Sequence, residues 1–275
     1  MNIVMSMWTK PCIDNKKHGY GSVEDMINSL IVSVNVAKKH YNEIHFYTDK
    51  IGYEWITPHL HLLPFTKIDV CLNEIDWLDD NYWSLSKLYV YQKQTEPFIH
   101  IDNDVFLWDR FPDVLMEKDF FFQEVENFYG VHFEFYKHGL RLYSKSIPKE
   151  IEVLGAAFNC GVFACITPKA VNLMKKYYEY GYQFVKNTNQ IVTLSVEPES
   201  QRWLGTVIIE QVFIYSLVVG NPEFTWDVFL TQFDGGKWAP KMIYNFRYSH
   251  MVAHNKRNPI ITNKIKERVF LKDWN

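Results

Sequence analysis

Long apolar runs are missing from this sequence of 275 residues: nowhere do about 18 apolar residues follow one another, so no membrane-spanning helix is expected. The opening stretch Met1 to Trp8 is too short, and lacks the basic start, for a signal peptide. Cysteine is scarce. Cys12, Cys71, Cys160 and Cys165 stand singly in apolar surroundings, without the paired spacing of a zinc site or a disulfide framework, and are expected reduced and buried in a cytoplasmic protein. An excess of positive charge is also absent. The 29 basic and 32 acidic residues give −3, which does not describe a surface built to neutralise a phosphate backbone, so nucleic acid is not expected as a partner. The stretch after the first apolar run holds only Gly19 and Gly21 and no G-x-G-x-x-G, which counts against a nucleotidyltransferase with a glycine-rich phosphate loop. No internal repeat or low-complexity tract is visible.

What is present reads as an ordinary globular chain, 47% hydrophobic and 22% charged, forming one mixed α/β domain over residues 1–275. Aromatic residues are abundant at 17%; such rings serve core packing, and also bind the flat faces of bases and sugars. The segment from Asn2 to Trp8 reads as a buried strand. From Val23 to about His40, Met26, Ile27, Leu30, Val34 and Ala37 recur at three and four, which predicts a helix with one buried face. Ile44 to Thr48 predicts a second strand, and strand, helix, strand in this order implies a right-handed crossover and a parallel sheet. A helix from Trp83 through Tyr91 leads into the apolar strand Phe98 to Ile101. Residues 120–150 show no clear period. Gly155 to Ala164 reads as a strand, followed by a helix after Pro168, a polar loop from about Asn187 to Gly205, a helix from Ile208 to Val219, and a closing basic helix or arm from Ile261 to Trp274.

The chemistry concentrates at Asp102-Asn103-Asp104, where two carboxylates one residue apart end a buried strand. Ligands of open α/β sheets bind beyond the carboxyl ends of the strands. A hard divalent cation held by carboxylate oxygens there can bridge the protein to a diphosphate and stabilise the charge developing on it. The bland alternative is a pair of loop carboxylates capping a turn. The apolar continuation Phe106-Leu107-Trp108 argues against a solvated acidic loop.

Several motifs in order then resemble the glycogenin-like retaining glycosyltransferases and their bacterial lipopolysaccharide galactosyltransferase relatives, which share the GT-A fold. Ser86-Lys87-Leu88 resembles the S-K-L helix of that family, and Phe98 to Leu107 its D-x-D strand. Phe158-Asn159-Cys160-Gly161-Val162 is similar to its F-N-x-G-V segment, Glu210-Gln211 stands at its Asp-Gln, and His250 to Lys256 is similar to its H-x-x-G-x-x-K. The resemblance implies an α/β GT-A fold with a nucleotide-binding half over 1–110, a donor-sugar and acceptor half over 111–260, and a basic tail over 261–275. It implies Mn²⁺ or Mg²⁺ on Asp102, Asp104 and His250, with Asn103, Lys87, Asn159, Gly161 and Lys256 on the nucleotide-diphosphate sugar and Glu210 and Gln211 as catalytic residues. Two departures stand out. Ala253 replaces a glycine, a strain wherever positive φ is needed, and Glu210 is one methylene longer than aspartate.

Other residues stay open between two roles. The resemblance implies that Thr9 and Tyr20 hold the ribose and base of a donor, Tyr20 by stacking, while a core tyrosine is the alternative. His254 rivals His250 as a ligand, and Lys87 and Lys256 read equally as surface lysines. Glu124 and Glu126 are expected either to reach sugar or acceptor or to be solvated. The implied reaction moves a hexose, from a UDP-linked donor, to a saccharide or glycolipid hydroxyl. A catalytically silent sugar-nucleotide-binding protein is the rival from another class. The basic tail, with Lys264, Lys266, Arg268 and Lys272, suggests either peripheral contact with an anionic membrane or a charged closing helix.

Overall fold

The structure, a computed structural model, describes all residues except 14–18, 130–133, 193–202, 234–236, 241–245 and 252. Its strands are β1 Asn2–Met7, β2 Ile44–Thr48, β3 Lys67–Val70, β4 Phe98–Ile101, β5 Val105–Leu107, β6 Phe120–Asn127, β7 Ala156–Cys165, β8 Trp226–Val228, β9 Leu230–Phe233, β10 Lys237–Pro240 and β11 Tyr248–His250. Its α-helices are α1 Lys10–Ile13, α2 Val23–Lys38, α3 Lys50–Ile56, α4 Ser84–Gln92, α5 Glu134–Leu142, α6 Pro168–Val192, α7 Trp203–Val207, α8 Phe213–Val219 and α9 Pro259–Leu271. The chain divides into two compact units, one of Met1–Trp77, Phe98–Pro112 and Pro240–Asn275, the other of Leu78–Pro97 and Asp113–Ala239. The fold is α/β, with mostly parallel strand pairing.

In the first unit the strands run in the order β3-β2-β1-β4, all parallel, with Ile3 opposite both Ile44 and Ile99. All four residues of β4 are buried, as expected for a parallel strand covered on both faces. Helix α2 makes the crossover from β1 to β2. Ser22 caps it by accepting from the Asp25 amide, and Glu24 and Asp25 sit in its first turn, where the helix dipole favours negative charge. Its apolar face buries Met26, Ile27, Leu30 and Val34, each such side chain stabilising by roughly 1.5–3 kcal/mol. It also packs on β5 and on the closing helix α9. The expected helix and strands of this unit are therefore present almost residue for residue.

In the second unit β6 lies between β7, antiparallel to it, and β8, parallel to it. Its aromatic side chains are core: Phe122 stacks on Phe158 at 3.7 Å between centroids, and Tyr91 on Phe163 at 4.7 Å. Asp119, at the entry to β6, ties that strand to α6 and to the approach to β8. It accepts from the Thr167 hydroxyl and from the Thr225 amide, and pairs with Lys169 at 2.8 Å. Helix α4 packs against α6 at Gly181, where an added Cβ would meet Leu85 Cδ1 at 2.8 Å.

Two stretches depart from the sequence reading. The segment expected as a polar loop from Asn187 to Gly205 continues α6 to Val192 and begins α7 at Trp203, while 193–202 lie outside the described residues. Polar composition misled here because these side chains bond to backbone: Thr188 Oγ1 donates to the Phe184 carbonyl and Asn187 Nδ2 to that of Ser146. The expected helix from Ile208 to Val219 is a π-helical turn, Ile208–Val212, running into α8.

Candidate functional site

The acidic triplet sits where β4 ends. The Val105 amide donates to the Asp102 carbonyl and closes a tight turn, after which β5 pairs antiparallel with β11, placing His250 opposite Val105. The Met251 amide then donates to the Asp104 carbonyl at 2.9 Å. This short ribbon is what carries a residue almost 150 positions later in the chain onto the acidic turn. Helix α2 fixes the other side of the turn through buried hydroxyls: Ser29 Oγ donates to the Asn103 carbonyl at 3.1 Å and Ser33 Oγ to that of Val105 at 2.6 Å. Asn103 Nδ2 donates to the Ser6 carbonyl at 3.0 Å, so the middle residue of the triplet anchors the turn to β1.

The outcome is a cluster in which one ligand atom each from Asp102, Asp104 and His250 lie within 4.8 Å of one another. Asp104 is buried, 3% exposed, with His250 Nε2 3.4 Å from Oδ1 and Lys256 Nζ 2.7 Å from Oδ2. Burial works against its charge, but the Lys256 ammonium and the His250 imidazole outweigh burial and hold its pKa well below the ordinary carboxylate range. The donor set fits a hard divalent cation. Two carboxylates and one imidazole are a donor set able to hold such an ion. The Lys256 ammonium also lies over the Tyr20 ring, 5.2 Å from its centroid.

A second polar cluster lies in the other unit. Lys87, on α4, reaches Glu210 Oε1 at 2.7 Å, and Glu210 is 2% exposed on the π-helical turn. Asn159, on β7, stands opposite Glu124 on β6; its Nδ2 donates to Glu124 Oε1 at 3.0 Å and to Glu126 Oε1 at 2.9 Å, while its Oδ1 accepts from the Gly161 amide. Tyr136, on α5, contacts Glu126 Oε2 and the Gln211 amide through its hydroxyl. Burial, and then the Glu126 charge, raise the Glu124 carboxyl to about 8; burial likewise raises Glu126. Both backbone irregularities of this unit bear on the cluster, the register shift of β6 between Phe122 and Glu124 and the π turn carrying Glu210 and Gln211. Such distortions re-aim side chains and gather at functional sites.

Over residues 1–273 the sequence matches a family described as of unknown function, DUF6734. The chain belongs to that family. No curated protein matches it in sequence. Among solved structures it is similar to mouse xyloside xylosyltransferase 1 in its apo form, at 13% identity and a TM-score of 0.43, over 82% of this chain and 84% of that one. It is similar to the galactosyltransferase LgtC in complex with donor and acceptor sugar analogues, at 14% identity and a TM-score of 0.38, over 75% of this chain and 70% of that one. A third is the glycosyltransferase GlyE of Streptococcus pneumoniae TIGR4, at 11% identity and a TM-score of 0.40, over 76% of this chain and 43% of that one.

In this member of the DUF6734 family the structure brings together Asp102, Asp104, His250 and Lys256, and separately Lys87, Glu210, Gln211, Asn159 and Gly161. Thr9 is fully buried, and its amide and hydroxyl both donate to Asp49 Oδ2 at 2.7 Å. Tyr20 is 3% exposed and donates to Ser29 Oγ at 2.9 Å, so in this structure it is a core tyrosine beneath Lys256. Glu124 and Glu126 are not solvated carboxylates. They are 3% and 7% exposed, because Asn159 and Tyr136 supply the donors that water would otherwise provide. Ala253 opens a 3₁₀ turn, and among the described residues Lys272 is the non-glycine residue with positive φ, so the glycine replacement carries no left-handed strain. The His254 side chain lies outside the described residues. The reading of isolated residues missed Tyr136, whose only signal was an aromatic between two charged stretches.

Proposed function

We propose that the chain is a metal-dependent glycosyltransferase of GT-A type that moves a hexose from a nucleotide-diphosphate sugar, UDP-linked, to a saccharide or glycolipid hydroxyl. One observation carries this reading: two carboxylates and an imidazole converge within 4.8 Å at the carboxyl end of a parallel strand. Asp102, Asp104 and His250 would hold Mn²⁺ or Mg²⁺, and a bound cation there would neutralise a diphosphate leaving group. Lys256 supplies a second positive charge, available to a phosphate oxygen when a donor competes with Asp104 for it. Asn103 holds the acidic turn, while Glu210 and Gln211, on the π turn, are the groups assigned to the reacting sugar. Lys87 fixes Glu210, and Asn159 with Gly161 shapes the wall of the second cluster. Thr9 contributes by tying the end of β1 to Asp49, and Tyr20 by lying beneath the Lys256 ammonium.

The test is a thermal-shift screen of nucleotide sugars with and without Mn²⁺, followed by detection of released nucleotide diphosphate on adding saccharide acceptors. Stabilisation that needs both donor and cation, with release, is the expected result, since ligands of the native state raise its melting temperature. Binding without release across donors and acceptors identifies a silent sugar-nucleotide-binding protein. No stabilisation by any donor refutes the reading.

A further inference from the structure

The hydrogen bonds around Glu126 do not close with the protons available. Tyr136 has one hydroxyl proton, yet its oxygen lies in hydrogen-bond contact with both Glu126 Oε2 and the Gln211 amide. If Tyr136 donates to an ionised Glu126, Gln211 must offer its Nε2 hydrogens to the Tyr136 oxygen. If Glu126 is protonated and donates to Tyr136, the phenol is free to donate to a Gln211 carbonyl oxygen. The structure places Gln211 Oε1 against the phenol, and a half turn of that amide, whose oxygen and nitrogen have nearly the same shape, exchanges the two arrangements.

Which arrangement holds follows from where the charge sits. Glu126 has donors on both oxygens, Asn159 on Oε1 and Tyr136 on Oε2. Glu124 receives Asn159 and, at 3.3 Å, Gln123 on Oε1, while its buried Oε2 has no hydrogen-bond partner among the described residues. A buried oxygen without a donor penalises the charged form most. The two carboxyls share one amide nitrogen and so lie close together, and their mutual repulsion makes two adjacent charges unfavourable. Among the described residues, Cys160 on β7 and Glu210 on the π turn, the latter paired with Lys87, also act electrostatically on Tyr136.

We propose that Glu124 and Glu126 form a one-proton carboxyl pair, proton on Glu124 and charge on Glu126, and that Tyr136 transmits this state to Gln211 and fixes its carbonyl oxygen outward as an acceptor for a ligand hydroxyl. Protonating Glu126 reverses the chain and turns the Gln211 amide hydrogens outward instead. Gln211 is half-buried and Tyr136 is 1% exposed, so solvent reaches the glutamine end of this relay. The ligand class, a saccharide hydroxyl, rests on the glycosyl-transfer reading; the proton arrangement does not. Raised acidities of both carboxyls agree with the pair.

The experiment is a pH titration of the full chain by ¹H–¹⁵N spectra of side-chain amides, with Asn159 and Gln211 assigned from single substitutions, alongside the infrared band of protonated carboxyl groups. A protonated carboxyl band at neutral pH, absent in E124Q, is expected. The Gln211 amide signals should shift on acidification with Glu126, keep that response in E124Q, lose it in E126Q, and lose it in Y136F while Asn159 still responds. A Gln211 response that survives in Y136F, or no protonated carboxyl at neutral pH in the wild type, overturns the proposal. Should E124Q or E126Q fail to fold, the wild type and Y136F decide it alone. Failure of every nucleotide sugar to bind would remove the ligand class and leave these titrations unchanged.

Discussion

The Lys87 ammonium lies 2.7 Å from Glu210 Oε1, with 13% and 2% of the two side chains exposed, so this is an ion pair largely withdrawn from water. Removing one partner of such a pair leaves an uncompensated charge, which is worse than removing both. Lys87→Met is therefore expected to destabilise the chain by roughly 3–5 kcal/mol, and the double variant K87M/E210Q to recover most of the loss. Chemical denaturation of the four proteins of this cycle checks it; a double variant whose destabilisation equals the sum of the two single variants' would show that the pair is not coupled.

Lys256 and a metal ion would share Asp104, so they are expected to oppose each other. In Lys256→Met, Mn²⁺ should bind about tenfold more tightly in the absence of nucleotide, because Asp104 no longer has a competing cation at 2.7 Å. The same variant should bind a nucleotide diphosphate more weakly by a similar factor. Calorimetry with Mn²⁺ alone, then with the diphosphate, separates the two effects, and a parallel change in both would place Lys256 outside the site.

Asp102→Asn and His250→Ala are expected to abolish stabilisation by Mn²⁺, which in the wild type amounts to about 3 kcal/mol at a hundredfold excess over the dissociation constant. Asp102 is the more exposed of the two carboxylates, so its replacement should leave the metal-free melting temperature within about a degree. Asp104→Asn, in contrast, disturbs a buried group with two cationic neighbours and should lower that temperature as well.

Glu124 gives a pH signature. Its folded-state pKa, about 8, lies above the ordinary 4.5, so the folded form holds a proton that the unfolded form releases. The associated stability is complete below pH 4.5 and is lost as pH rises towards 8. Glu124→Gln should flatten this part of the stability profile, by roughly 4–5 kcal/mol between the ends of the window. Melting curves across that range test it; an unchanged slope would mean that Glu124 ionises normally.

Much of the first unit was legible because its signals are local. Ile44 to Thr48 is a strand by its apolar run, α2 a helix by its period, and Asp102 and Asp104 stand at a strand end because Phe98 to Ile101 is wholly apolar. His250 was legible only through resemblance, since its place depends on the β5–β11 pairing across the chain. Strand β6 was not legible: it is buried at nearly every position, so neither a period of two nor one of 3.6 appears, and Gln123 interrupts its register. The buried state of Glu124 and Glu126 depends on donors from β7 and α5, which no local pattern encodes.

The π turn at Ile208–Val212 gives this helical segment one residue more than regular winding would accommodate. Glu210 and Gln211 owe their directions to that surplus, and deleting a single position there would restore smooth winding and re-aim these two side chains while the helix beyond keeps its register. Shortening the segment should thus yield a protein whose helix content is preserved and whose Lys87 no longer meets Glu210, separating the architecture of the second unit from the chemistry mounted on it.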